Sequence, residues 1–142
     1  MRFTILRLAD KDTEAGIMPS QELLAAMGSY MEQLATAGVL LGGEGLQPTS
    51  KGARVKFSGG KPRVTDGPFT QSKNLIAGYA TIQVKSKEEA IEWVRRWPIL
   101  DASGEAELEI RQVFEASDFG AEFTPELRER EERMRSELAE KK

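Results

Sequence analysis

Two rhythms of apolar and polar positions run along this chain. From Arg2 to Leu8 apolar side chains fall on both parities, Phe3 and Ile5 on one, Leu6 and Leu8 on the other. A strand covered on both faces reads this way. Residues 9–16 form a charged loop. Pro19 then opens a helix, its fixed φ suiting a first turn. Leu23, Leu24, Met27, Met31, Leu34 and Ala35 recur at helical spacing as one stripe, and Gly38 is the expected stop. Val39-Leu40-Leu41 starts a second strand, which Gly42-Gly43-Glu44-Gly45 interrupts. Glycines inside a strand mark a bulge or a close backbone approach. Such a bulge re-aims Glu44 and makes it a candidate site carboxylate. With no Lys-Ser/Thr and no helix after these glycines, a phosphate-cradling loop is disfavoured.

Residues 53–58 and 61–65 flank Gly59-Gly60 and predict a hairpin with a two-residue turn. Leu75 to Val84 is the clearest strand. One parity, Ile76, Gly78, Ala80, Ile82 and Val84, is small or apolar and suits packing under helices. The other, Leu75, Ala77, Tyr79, Thr81 and Gln83, starts apolar and turns polar. A face of that kind either lines a partly enclosed cavity or is wetted by solvent. Ser86-Lys87-Glu88-Glu89 is a capping box. Its helix buries Ala90, Val94 and Trp97, and Pro98 ends it. The last strand, 106–114, sets Leu108, Ile110 and Phe114 against Glu107, Glu109, Arg111 and Val113. If Glu109 and Arg111 face inward, they must pair or meet a ligand. Thr124-Pro125-Glu126 opens a charged helix with a thin stripe, Leu127, Met134 and Leu138. Glu126–Arg130 and Glu131–Arg135 are spaced to pair on it. The chain thus divides into a domain over 1–120 and a charged C-terminal helix over 121–142.

Composition removes several chemistries. A chain of 142 residues, 39% apolar and 30% charged, fits one soluble core. No apolar run approaches a membrane span. The N-terminal stretch reads as a strand and not as a signal peptide, so a cytoplasmic protein is expected. There is no cysteine and no histidine. Disulfides, thiolate chemistry and histidine-based triads are therefore excluded, and no metal site or cofactor is expected. The net charge of −3 argues against a nucleic-acid binder. Lys51, Arg54, Lys56, Lys61 and Arg63 nevertheless make the hairpin basic. That charge either protects an exposed edge or steers an anionic substrate.

Arg63-Val64-Thr65-Asp66-Gly67-Pro68-Phe69 is the stretch around which the rest is arranged. Pro68 fixes its own φ and biases Gly67 away from the helical region. Asp66 can bond its own downstream amides, as aspartate does in turns. Phe69 is an anchor, and residues 70–74 are a polar loop into the next strand. The carboxylate either caps this turn or stands at the mouth of a small-molecule pocket.

The element order is strand, helix, strand, hairpin, strand, helix, strand, a ferredoxin-like α+β pattern with an inserted hairpin. With it, the segments Gly38–Pro48, Val64–Phe69, Ile76–Tyr79, Glu88–Trp93 and Glu109–Val113 resemble the YCII-related family, specifically its Asp-Gly-Pro-Phe branch (the DGPF domain). The resemblance covers about residues 1 to 115 and implies a dimeric α/β-barrel, two sheets face to face, with a cleft at the polar sheet face. Relatives include proteins similar to muconolactone isomerases and a dehalogenase of chlorinated muconolactone. Some pair a His with an Asp; lacking histidine, this chain keeps only Asp66. Members of the branch are encoded near extracytoplasmic-function sigma factors, which implies a regulatory alternative.

Two readings follow. In the first, a homodimer binds a small anionic molecule, and Asp66 is the base of a lyase or isomerase step on an organic acid. Arg54, Arg63 or Arg111 grips the substrate carboxylate, Tyr79 donates to a developing oxyanion, and Glu44 and Thr81 complete the binding set. In the second, the same cleft belongs to a non-catalytic ligand-binding or regulatory module.

Overall fold

The computed structural model describes residues 1–70 and 74–141. The polar loop expected before the fifth strand falls largely on 71–73, outside the described residues. The elements are β1 (Arg2–Leu8), α1 (Lys11–Glu14), α2 (Gln21–Thr36), β2 (Leu40–Gly45), β3 (Ala53–Ser58), β4 (Lys61–Asp66), β5 (Ile76–Gln83), α3 (Lys87–Val94), β6 (Leu108–Gln112) and α4 (Pro125–Glu140). They form two compact units, Met1–Gln112 and the residues from Val113 onward. Among the described residues no helix is long and apolar enough to cross a membrane.

The first unit is a mixed α+β structure on an open, four-stranded antiparallel sheet in the order β2-β5-β1-β6. Cross-strand partners share a face. Phe3 lies beside Ile82, and Ile5 between Ala80 and Ile110. On that face Phe3, Ile5 and Ile82 pack with Tyr30 and Leu34 of α2 and Ala90 of α3. Ile5, Leu34 and Ile82 are fully buried, each stabilising the fold by about 1.5–3 kcal/mol relative to exposure. The expectation that β1 is covered on both faces holds for one. Its buried residues alternate strictly with half-buried ones, so Thr4, Leu6 and Leu8 look away from the helices.

Local chemistry sets the helix ends. Ser20, not Pro19, caps α2 by accepting from the Leu23 amide at 3.1 Å, which leaves Pro19 outside the helix. The charged stretch after β1 holds a short helix that was not expected. Asp10 accepts from the Thr13 amide at 2.9 Å, and the Thr13 hydroxyl accepts from the Asp10 amide at 2.8 Å. Ser86 caps α3 through the Glu89 amide at 3.1 Å. Glu89 reaches back one residue further than a capping box requires, to the Lys85 amide at 2.7 Å.

Tyr30 fastens α2 to α3. Its hydroxyl donates to the Trp93 carbonyl at 2.7 Å, and its ring meets Trp97 edge to face at 5.4 Å. Burial pushes its ionisation up to about 12 from 10.0, partly offset by the nearby Arg96 charge. A raised phenol pKa stabilises the fold fully below the unfolded value, and that stability is lost as pH rises through the folded one. We therefore expect an alkaline loss of stability between about pH 10 and 12, followed by circular dichroism. Tyr30→Phe should remove that limb and cost about 1 kcal/mol at neutral pH for the lost hydrogen bond.

The second unit carries α4, capped by Thr124 with Pro125 in its first turn, as expected. Glu131 and Arg135 pair at 2.7 Å. Glu129–Arg133 at 3.1 Å is a further pair, and no Glu126–Arg130 bridge forms among the described residues. Phe119 stacks on Phe114 at 4.9 Å and meets Phe123 edge to face at 5.5 Å.

Candidate functional site

The Asp-Gly-Pro-Phe corner is locked from behind. The Gly67 amide donates to the Gly52 carbonyl at 2.9 Å, and the Phe69 amide to the Thr49 hydroxyl oxygen at 3.0 Å. Thr49 is held in turn by Glu14, which accepts from its hydroxyl at 2.6 Å and its amide at 3.1 Å. The Arg54 guanidinium lies 4.0 Å over the Phe69 ring, a cation–π contact worth about 0.5–2 kcal/mol. The Gly67–Pro68 peptide is cis. Gly67 packs so tightly that a Cβ there would fall 1.7 Å from the Thr49 carbonyl oxygen.

This arrangement corrects one expectation. Two of the amides that Asp66 could have capped, those of Gly67 and Phe69, donate elsewhere. Asp66 is exposed, and among the described residues its carboxylate has no hydrogen-bond or ion-pair partner. Glu14 and Thr49, which hold the corner, went unrecognised in the sequence. Glu14 read as one acid in a charged loop and Thr49 as one hydroxyl after a proline. Only the tertiary approach of α1 to the segment after β2 gives them a role.

Glu44, Tyr79, Thr81 and Arg111 are brought together on the sheet face turned away from α2 and α3. Cross-strand register lays out two neighbouring rows. One runs Gly42, Thr81, Thr4, Arg111; the next runs Glu44, Tyr79, Leu6, Glu109. The expected glycine bulge is present as a register shift between Leu40 and Gly42. At Gly43 the strands approach so closely that a Cβ would sit 2.7 Å from the Tyr79 carbonyl oxygen. Thr4 and Thr81 hydroxyls lie 3.3 Å apart. Arg111 and Glu109 pair weakly at 3.4 Å, so they look outward and meet each other. Tyr79 is 41% exposed.

Arg54 and Arg63 stand apart from this face. In the separate two-stranded β3–β4 sheet, Arg54 pairs with Thr65 and Lys56 with Arg63. Asp66 shares the opposite face of that ribbon with Val55, Phe57, Pro62 and Val64. The corner lies toward the end of the main sheet where β1 and β2 finish, because Glu14 follows β1 and Thr49 follows β2. The row holding Glu44 and Tyr79 is the nearer of the two to that end.

A second cluster is built as an ion pair. Arg7 Nε donates to Asp101 Oδ2 at 2.9 Å and its Nη2 to Oδ1 at 2.8 Å. The Trp97 indole adds a third donor to Asp101 at 2.9 Å. Arg7 also reaches Asp10 at 3.1 Å and the Leu8 carbonyl. Arg7 and Asp101 are 9% and 7% exposed. Burial opposes the charge on Asp101. The hydrogen bonds from Arg7 and Trp97 and the Arg7 charge outweigh it and hold the carboxyl below its ordinary value. The chain leaves Asp101 through Ala102 and Ser103 at φ +51° and +53°, a left-handed conformation that non-glycine residues hold only where the surroundings fix it. This cluster faces the helices and is structural. Among the described residues no group of three carboxylates, histidines or cysteines could hold a metal ion.

The YCII-related domain matches residues 1–117. An uncharacterized protein of Rhizobium meliloti (strain 1021) is 33% identical over 75 residues, 53% of this chain, and the match spans only 57% of that protein's length. Among solved structures, the chain is similar at a TM-score of 0.40 and 19% identity to the 5-chloro-2-hydroxyhydroquinone dehydrochlorinase TftG of Burkholderia phenoliruptrix AC1100, in complex with 2,5-dihydroxybenzoquinone. That similarity covers 81% of this chain and 96% of the other.

Proposed function

The chain belongs to the YCII-related family, and on that premise we propose that it binds a small organic acid on its open sheet face and works on it as a lyase or isomerase. It does so as a cytoplasmic homodimer of the Asp-Gly-Pro-Phe branch. The observation that carries the reading is the gathering of Glu44, Tyr79, Thr81 and Arg111 into two adjacent rows of one uncovered face. Strand order and the placement of both helices on the other face support a ferredoxin-like unit. In a homodimer two such faces meet as an α/β-barrel, which shields an otherwise bare sheet face from water.

Arg111 holds the substrate carboxylate, giving up its weak bridge to Glu109 for a stronger charge-assisted pair. Tyr79 and Thr81 donate to a second oxygen, and the Tyr79 hydroxyl stabilises the enolate-like oxyanion as charge develops there. Asp66 removes the proton from the carbon beside the carbonyl. Its unengaged carboxylate, on a corner pinned through Thr49 and Gly52, supports that role.

A thermal-shift screen of small carboxylic acids tests the proposal. Arg111→Ala should weaken the best ligand about tenfold or more, since a charge-assisted hydrogen bond contributes ~1.5–3 kcal/mol. Asp66→Asn should keep binding and lose turnover. If both variants bind and turn over like the parent protein, the reading is wrong.

A further inference from the structure

The β3–β4 hairpin leaves both of its faces in water. Every residue of Ala53–Ser58 and Lys61–Asp66 is exposed. Register sorts them cleanly. Val55–Val64 and Phe57–Pro62 form an apolar side, and Arg54–Thr65, Lys56–Arg63 and Ser58–Lys61 form a basic one. Val55, Phe57 and Val64 are 55%, 67% and 65% exposed. A two-stranded ribbon is marginally stable alone in water, and this one holds its apolar side chains where its own sheet does not cover them. Asp66 stands at the base of the same apolar side, opposite Ala53.

We infer that this hairpin is an arm whose apolar side lies on a second copy of the chain, and that the Asp66 corner is complete only when that copy is in place. The inference rests on the homodimer proposed above and names the surface that makes it.

Three observations select a second copy as the occupant. Charge is the first. From Ala53 to Asp66 there are four basic residues and one acidic residue, so a chain of net −3 carries −6 outside its arm. A positive arm is drawn to the remainder of another copy and is repelled by another arm. Size is the second. A stable interface needs roughly 800 Å² from each partner. Four side chains of a ribbon fall short of that alone, and the open face of the main sheet supplies the rest. Chemistry is the third. A carboxylate acting as a base near neutral pH needs a site shielded from water. Asp66 is exposed in one chain, and the side chains beside it on its own face are apolar. Two-fold symmetry then lets each copy cover the other's corner.

Light scattering after gel filtration, with hydrogen exchange of the hairpin amides, tests this. The parent protein should run as a dimer, and exchange at 53–58 and 61–66 should slow as protein concentration rises. Phe57→Glu, an exposed position that leaves the core untouched, should run as a monomer. Its hairpin amides should exchange at least tenfold faster, and its turnover of the organic acid should be lost. Lys56→Gln, on the basic side, should stay dimeric. A dimeric Phe57→Glu with parental exchange overturns the arm. So does hairpin protection that appears only with an acidic peptide, an RNA or anionic vesicles. A monomeric Phe57→Glu that still turns over the ligand overturns completion of the corner. The sheet-face proposal fails separately, through Arg111→Ala in the dimer.

Discussion

Asp101→Ala should cost about 3–5 kcal/mol, the range for breaking one side of a buried ion pair. The variant leaves the Arg7 guanidinium, 9% exposed, with only Asp10 and the Leu8 carbonyl as partners, and it strands the Trp97 indole N–H. It also releases the left-handed pair Ala102 and Ser103 from the anchor preceding them. Set against a typical total of roughly 5–15 kcal/mol, a loss of that size is a large share of the stability. In calorimetry it should lower Tm by roughly 10–20 °C. Replacing both partners with apolar residues, Arg7→Met with Asp101→Leu, should cost clearly less than Asp101→Ala alone. A double variant as unstable as the single one would mean that the pair's geometry matters more than its charge. pH gives an independent check. The folded pKa of Asp101 lies below its ordinary value of 3.8, so its stabilisation is complete above that value and is lost as pH falls through the folded one. Asp10 is shifted in the same direction: burial pushes against it, and the Thr13 amide and Arg7 prevail. The parent protein should therefore lose stability below about pH 4, and Asp101→Ala should lose less over the same range.

Gly67→Ala should be the most damaging single methyl group in the corner. Its Cβ would meet backbone, the Thr49 carbonyl oxygen at 1.7 Å and carbon at 2.6 Å, not the movable end of a side chain. Either Thr49 moves, breaking its bonds with Glu14 and Phe69, or the corner swings out and gives up the bond from the Gly67 amide to Gly52. We expect a cost of about 3 kcal/mol, at the top of the range for overpacking, and loss of turnover with organic-acid binding on the intact main sheet kept. Nuclear magnetic resonance would show this as shifts confined to Glu14, Thr49 to Ala53 and Asp66 to Phe69. A variant that melts and turns over like the parent would mean the corner is looser than its contacts indicate.

The patterns that could be read directly were those a strand or helix writes into itself. An apolar run marked β1, parity marked β5, the glycine pair marked the hairpin turn, and Ser86 and Thr124 marked helix starts. The glycines of β2 announced a bulge that register confirms between Leu40 and Gly42. The sheet-face residues were legible for the same reason, since parity alone puts Tyr79 and Thr81 on one side of β5. Contacts made at long range were not legible. Arg7 sat in a run of strand residues, and nothing near it pointed to Asp101, 94 residues away. Whether Asp66 caps its own turn or stands free could not be decided, because local turn chemistry is all that a short window displays. The acceptors that relieve it, Thr49 and Gly52, come from a segment that reads as featureless. Arg54 and Arg63 were grouped with Asp66 because they are near it in sequence. Strand pairing sends them to the opposite side of the ribbon.

The Thr49 hydroxyl takes the Phe69 amide on one side and gives its proton to Glu14 on the other. The address of the corner is therefore written in the first seventh of the chain. An insertion or deletion between Asp10 and Gly16 would carry the Asp66 carboxylate with it, without touching the hairpin that bears it. A laboratory lineage selected for a relocated corner should accumulate its changes around Glu14 as readily as around Asp66 itself.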